Sequence, residues 1–547
     1  MKKPSTPPAN PVRFERRVER SRDPQSRSLA ARWLLDRRFS TSLEAARSER
    51  PWGRGGVGAA LLPLLLAGCS FAPHYQQPAT PPAAQWKPVD GWQPAAPADD
   101  RPRGDWWTAF NDSTLNDLVG RAVAHNNTLA QAAATYRQAR AATKEARASF
   151  FPTVSLDGSV THTESGASRT IVNGSTSSSG SKASTNYTVQ LGASWEPDLF
   201  GKVANTVSNA KATEQARLAD LANARLALQG ELATDYLSLR ASDAQIASYT
   251  ATVAAYQRSL QITTNQYNAG IAPHSDVYQA QSQLASAQSD LEGETRTRAQ
   301  FENAIAVLVG ENPATFTLAS IGTTWAPVVP DVPVALPSTL LQRRPDIASA
   351  ERSVAAANAE IGVEKAAFFP TVSLSADGGF NNGSLAGLFA SSASLWSVGA
   401  QVAETLLDFG ARTARVRQAR AAYDAAVANY RQVALTAFQD VQDNLVASVV
   451  LGRQEALLRQ ASVAADKSEE SLLNQYKAGT IAYTNVVSAQ ATALSARRAL
   501  IQAQGDRQNA AVALVQALGG GWQAGDIGNG AEAARADDLH KAEQAKP

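Results

Sequence analysis

Phe150-Phe151-Pro152-Thr153-Val154-Ser155-Leu156 is spelled out again as Phe368-Phe369-Pro370-Thr371-Val372-Ser373-Leu374, 218 positions further on. A second phrase, Asn265-Gln266-Tyr267-Asn268-Ala269-Gly270, returns as Asn474-Gln475-Tyr476-Lys477-Ala478-Gly479 at an offset of 209. Two phrases in the same order at nearly one offset mark an internal duplication. The period is far longer than the 20–50 residues of a solenoid repeat, so each copy is a whole subdomain.

Outward from the first phrase, the pattern changes on either side of Pro152. Before it, a helix is expected from about Leu115 to Ser149, and proline ends it. After it the period becomes two: Val154, Leu156 and Val160 alternate with Ser155, Asp157 and Thr161. A polar Ser/Gly/Thr loop, 164–185, separates this strand from a second, where Tyr187, Val189, Leu191 and Trp195 alternate with Thr188, Gln190 and Ser194. Strands of about ten residues suit a tilted membrane-spanning β-strand, although soluble strands alternate as well.

From Lys202 to Tyr267 no proline interrupts the chain, enough for about 100 Å of helix at 1.5 Å per residue. Leu221, Leu228, Leu232, Leu239, Ile246, Tyr249, Val253, Tyr256, Leu260 and Tyr267 fall on two heptad positions, a coiled-coil seam. Gly270 supplies the stop, Ser275 or Asp276 is the expected cap of a return helix, and the unit is a long helical hairpin. The second copy repeats the plan, with Val416, Tyr423, Val427, Tyr430 and Val441 keeping the spacing.

The expected organisation is a basic segment 1–54, an apolar run 55–68 and a Pro-rich tether 69–104. Repeat 1 is 105–310, with its β-hairpin at 153–196 and helical hairpin at 202–309. A connector, 311–344, leads to repeat 2 at 345–520, with hairpins at 371–403 and 411–518, and a disordered tail fills 521–547. Fourteen Lys/Arg against six Asp/Glu give residues 1–56 a charge of +8, leaving −6 for the rest of a chain whose net charge is +2. No basic stripe or recognition motif accompanies that end, so nucleic acid is not an expected partner.

A single cysteine rules out an intrachain disulfide and a cysteine zinc site. It closes the run Leu64-Leu65-Leu66-Ala67-Gly68-Cys69, too short to cross a bilayer as a helix and shaped like a signal-peptide core. Leu66-Ala67-Gly68-Cys69 resembles a bacterial lipobox, which implies lipidation of Cys69, and Ser70 in place of Asp implies sorting to the outer membrane. The 1–54 segment fits poorly before such a signal. It is expected to be disordered, or to reflect a start assigned too far upstream, with Leu43 or Val57 as non-ATG candidates.

No catalytic constellation is present. The histidines, at 74, 125, 162, 274 and 540, lack metal spacing, so no metal site or cofactor is expected. The run Gly174 to Lys182 resembles a phosphate loop, but its lysine does not follow the second glycine directly and it lies between strands.

Jointly these motifs resemble a TolC-like outer membrane factor of the NodT-type lipoprotein branch, which serves tripartite efflux systems. The resemblance covers 61–520 and is carried by several phrases. They are the lipobox leading into Pro73-His74-Tyr75-Gln76-Gln77-Pro78, Trp106-Trp107 with Phe110, both Phe-Phe-Pro phrases, Leu340-Leu341-Gln342-Arg343-Arg344-Pro345-Asp346-Ile347, and the two Tyr-x-Ala-Gly turns. It implies an α+β membrane protein. Each chain would give four transmembrane β-strands and long coiled-coil helices, closing as a homotrimer with a 12-stranded β-barrel on a periplasmic α-helical tube. Sequence alone says only that four strands cannot close a barrel.

The implied function is the passive exit channel of an efflux pump in the Gram-negative outer membrane. The implied partners are a periplasmic adaptor, an inner-membrane RND-type or similar transporter, and outer membrane lipid. A periplasmic adaptor or coiled-coil scaffold lipoprotein is the alternative; metal-ion efflux and type I secretion remain open within the channel class. The turns at Ala269-Gly270 with Asp276, and Ala478-Gly479 with Asn485, would form the periplasmic tip. Relatives with an acidic ring or Asp–Arg lock there are not matched, because Asn485 stands opposite Asp276 and Ile481 at the basic position. Phe150, Phe151 and Pro152, with Phe368, Phe369 and Pro370, would mark the membrane junction.

Overall fold

The computed structural model describes residues 71–80, 86–87, 104–166, 168–172, 175–179, 182–322, 325–330, 332, 342–523, 525–528, 535 and 537. The basic segment, the apolar run and the lipobox with Cys69 lie outside the described residues. No described helix is long and apolar enough to cross a membrane.

A short 3-10 turn, Trp106–Phe110, opens the packed structure, followed by α1 (Ser113–His125) and α2 (Asn127–Ala148). The single helix expected over 115–149 is therefore two. Asn126 breaks it: its side chain accepts from Leu129 N at 2.9 Å, and its amide donates to Leu308 O at 2.9 Å. Gly310, at φ +76°, brings the backbone so close that an added Cβ would lie 2.5 Å from His125 O.

Strands β1 (Thr153–Ser165) and β4 (Lys182–Trp195) follow, with a ribbon of β2 (Ser168–Val172) and β3 (Ser175–Ser179) between them. The loop expected over 164–185 is thus largely strand: the β-branched Thr170, Ile171 and Val172 favour an extended backbone, and β2 pairs antiparallel with β3 from Ser168 opposite Ser179 to Val172 opposite Ser175. Next come α3 (Lys202–Asn268) and α4 (His274–Leu308). The second copy supplies α5 (Pro345–Ala366), β5 (Thr371–Asn382), β6 (Ser394–Ala403), α6 (Ala411–Lys477) and α7 (Tyr483–Ala517). Asp112, rather than any residue of the helix itself, caps α1 by accepting from Thr114 N and Leu115 N, and it also accepts from the buried Tyr236 hydroxyl at 2.6 Å.

The four long strands form one sheet in the order β1-β4-β5-β6. Its register sorts the side chains by face. Leu156, Leu191, Gly378 and Trp396 share one row, and Ser155, Gly192, Asp377 and Ser397 share the next. One face is consequently apolar, with Val154, Leu156, Val160, Leu191, Trp396, Val398 and Val402 all exposed to the surroundings. The other is polar. On it Ser155 Oγ donates to Asp157 at 3.0 Å, and Ser397 Oγ to Asp377 at 3.3 Å.

Below the sheet, α3 packs on α2, α4, α5 and α7, and α6 packs on α5 and α7. Leu221, Leu228, Leu232 and Leu239 of the seam are buried together with Leu115, Leu118, Leu129, Tyr236, Ile305, Val512 and the connector's Phe316. This is the largest core. Toward the tip the seam continues through buried Tyr249 and Tyr256. The tail, expected to be disordered from 521, is partly packed. Trp522 is buried against Ala219, Ala222 and Ala348, a short α8 (Gly525–Gly528) follows, and Asp537 pairs with Arg140 at 3.0 Å.

A buried ionic cluster ties the first hairpin to the connector. Asp243, with no side-chain exposure, accepts from Arg298 at 2.7 Å and from Arg240 at 3.0 Å. Arg298 also donates to Leu318 O at 2.7 Å and pairs with Glu302, whose other oxygen accepts from Leu318 N at 2.6 Å. Arg240 reaches Ala319 O at 2.7 Å. Burial alone would raise the Asp243 pKa, but the hydrogen bonds from Arg298, Ser320 and Arg240 outweigh it and hold the carboxyl below its usual value.

Removing one member of a buried ion pair leaves the others uncompensated, at a cost of about 3–5 kcal/mol. Asp243→Asn is therefore expected to lower the urea midpoint, followed by helical circular dichroism, without changing the helix content of the native state. Because the folded pKa lies below the unfolded one, this contribution is present above about pH 4 and is lost as pH falls through the lower folded value.

A strand-to-helix junction and a double-hairpin tip

Two regions gather the residues singled out in the sequence: the junction between sheet and helices, and the far ends of the two helical hairpins. At the junction the Phe-Phe-Pro phrases occupy unlike environments. Phe369 is sandwiched. On one side Phe200 lies at 5.1 Å between ring centroids, and on the other Phe71 lies at 4.3 Å. Phe151, its counterpart, is 70% exposed. Phe150 O accepts from the Trp195 indole at 3.0 Å, while the Phe368 ring lies under the Arg412 guanidinium at 5.2 Å. Pro152 and Pro370 each stand one residue before a strand.

Phe71 belongs to a strap that lies along the helices instead of standing free as a tether. Lys365 Nζ donates to Phe71 O at 3.3 Å, Asn358 Nδ2 to Pro73 O at 2.8 Å, and the Tyr75 hydroxyl to the Glu351 carboxylate. Further along, Gln77 donates to the Tyr430 hydroxyl at 3.0 Å, Arg431 to Ala79 O at 3.3 Å, and Lys87 N to Gln442 at 2.9 Å. Burial and the Glu351 hydrogen bond push the Tyr75 hydroxyl pKa upward. The strap therefore descends α5 and crosses to α6, starting at the junction two residues after Cys69.

The connector ends in a second ionic clasp. Arg344 donates to Asp346 at 2.7 Å, to Asp440 at 3.1 Å and to Ala517 O at 3.3 Å, joining the start of α5 to α6 and α7.

At the tip, Gly270 and Gly479 adopt φ +72° and +73°, the left-handed conformation that closes each long helix. Ala269 N reaches Asn265 O at 3.0 Å, and Ala478 N reaches Asn474 O at 3.1 Å. The expected cap at Ser275 or Asp276 is not made: α4 begins at His274 with Pro273 as its N-cap and no side-chain cap bond. Proline's fixed φ and missing N–H serve that position without a side chain. Asp276 remains in the first turn, where its charge suits the helix N-terminus, and Asn485 holds the matching place in α7.

The two tips differ in packing. Tyr476 and Tyr483 are buried with centroids 5.0 Å apart, beside Val486 and Ala280. Burial and the neighbouring Tyr476 push the Tyr483 hydroxyl pKa up to about 12. On the first hairpin His274 lies between Tyr267 and Tyr278, at 4.5 and 4.3 Å, with both tyrosines exposed. Near the tip a buried polar link crosses between hairpins, Gln490 Nε2 donating to Ser259 Oγ at 3.0 Å, and further from it Gln245 donates to Arg498 O at 3.3 Å. Sequence reasoning missed the Gln490–Ser259 pair. The signal was Gln490 on the stripe Tyr483, Val486, Gln490, Ala493 and Leu494, a polar residue where the period demands an apolar one.

A sheet apolar on one face and polar on the other, carried on helices about 100 Å long, defines a membrane channel subunit with a large helical extension. The family model described as "Outer membrane efflux protein" matches residues 118–311 and again 336–520, once in each copy. The solvent efflux pump outer membrane protein SrpC of Pseudomonas putida is 35% identical over 472 residues, 84% of this chain and 97% of the relative. The outer membrane protein OprJ of Pseudomonas aeruginosa is 31% identical over 475 residues, 86% and 96% respectively. Among solved structures, the outer-membrane channel OprN superposes with a TM-score of 0.75 at 30% identity, over 83% of this chain and 100% of that one.

This chain belongs to the outer membrane efflux protein family. Its four strands and paired hairpins are one third of a trimeric channel whose 12-stranded barrel opens into a periplasmic helical tube. The adaptor alternative is excluded by the same matches.

Truncating a fully buried aromatic costs about 3–5 kcal/mol. Tyr483→Ala is therefore expected to speed amide hydrogen exchange around 474–490 while leaving exchange in the core around Leu232 unchanged.

Proposed function

We propose that the trimer is a passive exit duct for small drugs and other small organic solutes, fed through a periplasmic adaptor by an inner-membrane transporter. No covalent chemistry is required of it. The observation that carries this reading is the two-faced sheet. Its apolar side meets hydrocarbon, its Ser, Thr, Gln and Asp side lines a wet lumen, and the long hairpins extend that lumen through the periplasm. The solvent named for SrpC, at 35% identity, favours organic cargo.

The two turns at Ala269-Gly270 and Ala478-Gly479 are the periplasmic entrance, where the adaptor docks and the aperture opens. The long helices carry no internal proline, and their glycines, Gly230, Gly293, Gly452 and Gly505, lie far from the turns, so the segments near the tip do not bend cheaply and opening proceeds by sliding one coiled-coil face over another. Neutral links such as Gln490–Ser259 are suited to that, since exchanging one neutral hydrogen bond for another costs about 1 kcal/mol. At the other end a lipid on Cys69 anchors the strap beside the junction, each buried CH₂ contributing about 0.8 kcal/mol.

Purified trimer is expected to conduct ions across a planar bilayer and, in cells lacking their own efflux channel, to restore export of a hydrophobic dye. Cys69→Ala is expected to abolish palmitate incorporation while the folded trimer retains conductance. A trimer that never conducts overturns the duct, and palmitate on Cys69→Ala overturns the anchor.

A further inference from the structure

The apolar face of the sheet is not uniform. Two neighbouring rows cross it beside the junction: Trp195, Leu374 and Ala400 in one, and Ala193, Ala376 and Val398 in the next. Three alanines stand in adjacent places there, and the surface dips into a groove of about 450 Å³ with Pro152 at its junction end. That volume falls within the roughly 300–1,000 Å³ of small-molecule sites. The walls are fixed. The Trp195 indole donates to Phe150 O at 3.0 Å, which locks the ring, and Trp195 and Leu374 are each only 37% exposed. Further from the junction the same face is filled by large side chains, with Leu156 72% and Trp396 81% exposed. An apolar groove opening into hydrocarbon takes a hydrocarbon chain, since a polar guest would lose its hydrogen bonds there.

The strap says which chain. Read from Tyr75 back to Phe71, its contacts climb α5 toward the sheet: Tyr75 meets Glu351, Pro73 O meets Asn358, Phe71 O meets Lys365, and the Phe71 ring stacks on Phe369. Phe369 stands two residues before β5. Cys69 precedes Phe71 by two residues, so it lies at most about 7 Å further along the chain. From Phe369 to Leu374 is five residues, roughly 17 Å of extended backbone. The acyl chain of a bilayer lipid spans one leaflet, about 15 Å, half of the hydrocarbon core. A lipid on Cys69 is therefore long enough to reach the groove.

We propose that an acyl chain carried by Cys69 lies in this groove, between Trp195 and Val398, as a packed element of the fold and not as a free tether in the bilayer. The inference rests on the lipidation of Cys69. Seated there, the chain joins the strap to β4, β5 and β6 and lies across the boundary between the two copies, because β4 belongs to the first and β5 and β6 to the second. An acyl chain of a free phospholipid is the competing occupant.

The full-length chain is produced in cells fed a diazirine-bearing fatty acid, and the outer membranes are illuminated. The Cys69 lipopeptide is expected to become joined to the tryptic peptides 183–202 or 366–412. An acylated Cys69 peptide joined to neither, including labelling of those peptides by free phospholipid alone, overturns the groove and leaves the anchor standing. A Cys69 peptide without acyl chains overturns the anchor, and this inference with it. A second readout is the temperature at which the detergent-resistant trimer dissociates. Cys69→Ala is expected to lower it by several degrees in the wild-type background and to have no further effect once Ala376→Phe has filled the groove. Val160→Phe, on the same face away from the groove, is expected to leave the effect of Cys69→Ala intact. Equal lowering in the wild-type and Ala376→Phe backgrounds, or no lowering in the wild type, overturns the groove.

Discussion

A sheet placed in hydrocarbon has no water to satisfy its edges, and each unpaired backbone N–H or C=O costs several kcal/mol there. Among the described residues one chain contributes β1, β4, β5 and β6, with the outer sides of β1 and β6 unpaired. Closure by further copies is therefore a condition of residence in the membrane. The other features follow from that condition. The apolar row through Leu156, Leu191 and Trp396 must face lipid, and the row through Ser155, Asp377 and Ser397 must face the lumen.

Below the membrane the constraint changes from hydrogen-bond closure to packing of long helices. Fixed points are placed where the helices cross the connector. Arg240, Asp243, Arg298 and Glu302 lash the first hairpin to 318–321, and Arg344 clasps α5 to α6 and α7. Such buried ions are costly to separate, so this level resists movement. Nearer the tip Arg497 pairs with Asp466 at 2.7 Å and with Glu469 at 2.8 Å inside the second hairpin, the Gln490–Ser259 link between hairpins is neutral, and the turns rest on Gly270 and Gly479.

The duplication is regular in backbone and irregular in use. Phe369 acquires both Phe200 and the strap's Phe71, while Phe151 acquires neither within its chain. Arg298 and Arg507 sit 209 residues apart on equivalent return helices, yet Arg298 meets the fully buried Asp243 and Arg507 meets Glu455 at 2.8 Å, both partly exposed. A single N-terminus and a single connector serve two copies, so the copies cannot be equal.

The duplication, the change of period at each Phe-Phe-Pro, the heptad seam and the helical hairpins are legible in residue order alone. These are local or periodic properties, and a period survives whatever it packs against. Motif resemblance, not periodicity, supplied the trimer and the exit-duct function. The folded arrangement was needed for the break at Asn126, which depends on Leu308 and Gly310 more than 180 residues away. It alone seated Trp522 and the strap, joined Gln490 to Ser259, and distinguished Phe369 from Phe151. Each of those depends on what lies opposite in space, and identical phrases such as Phe-Phe-Pro carry no record of their neighbours.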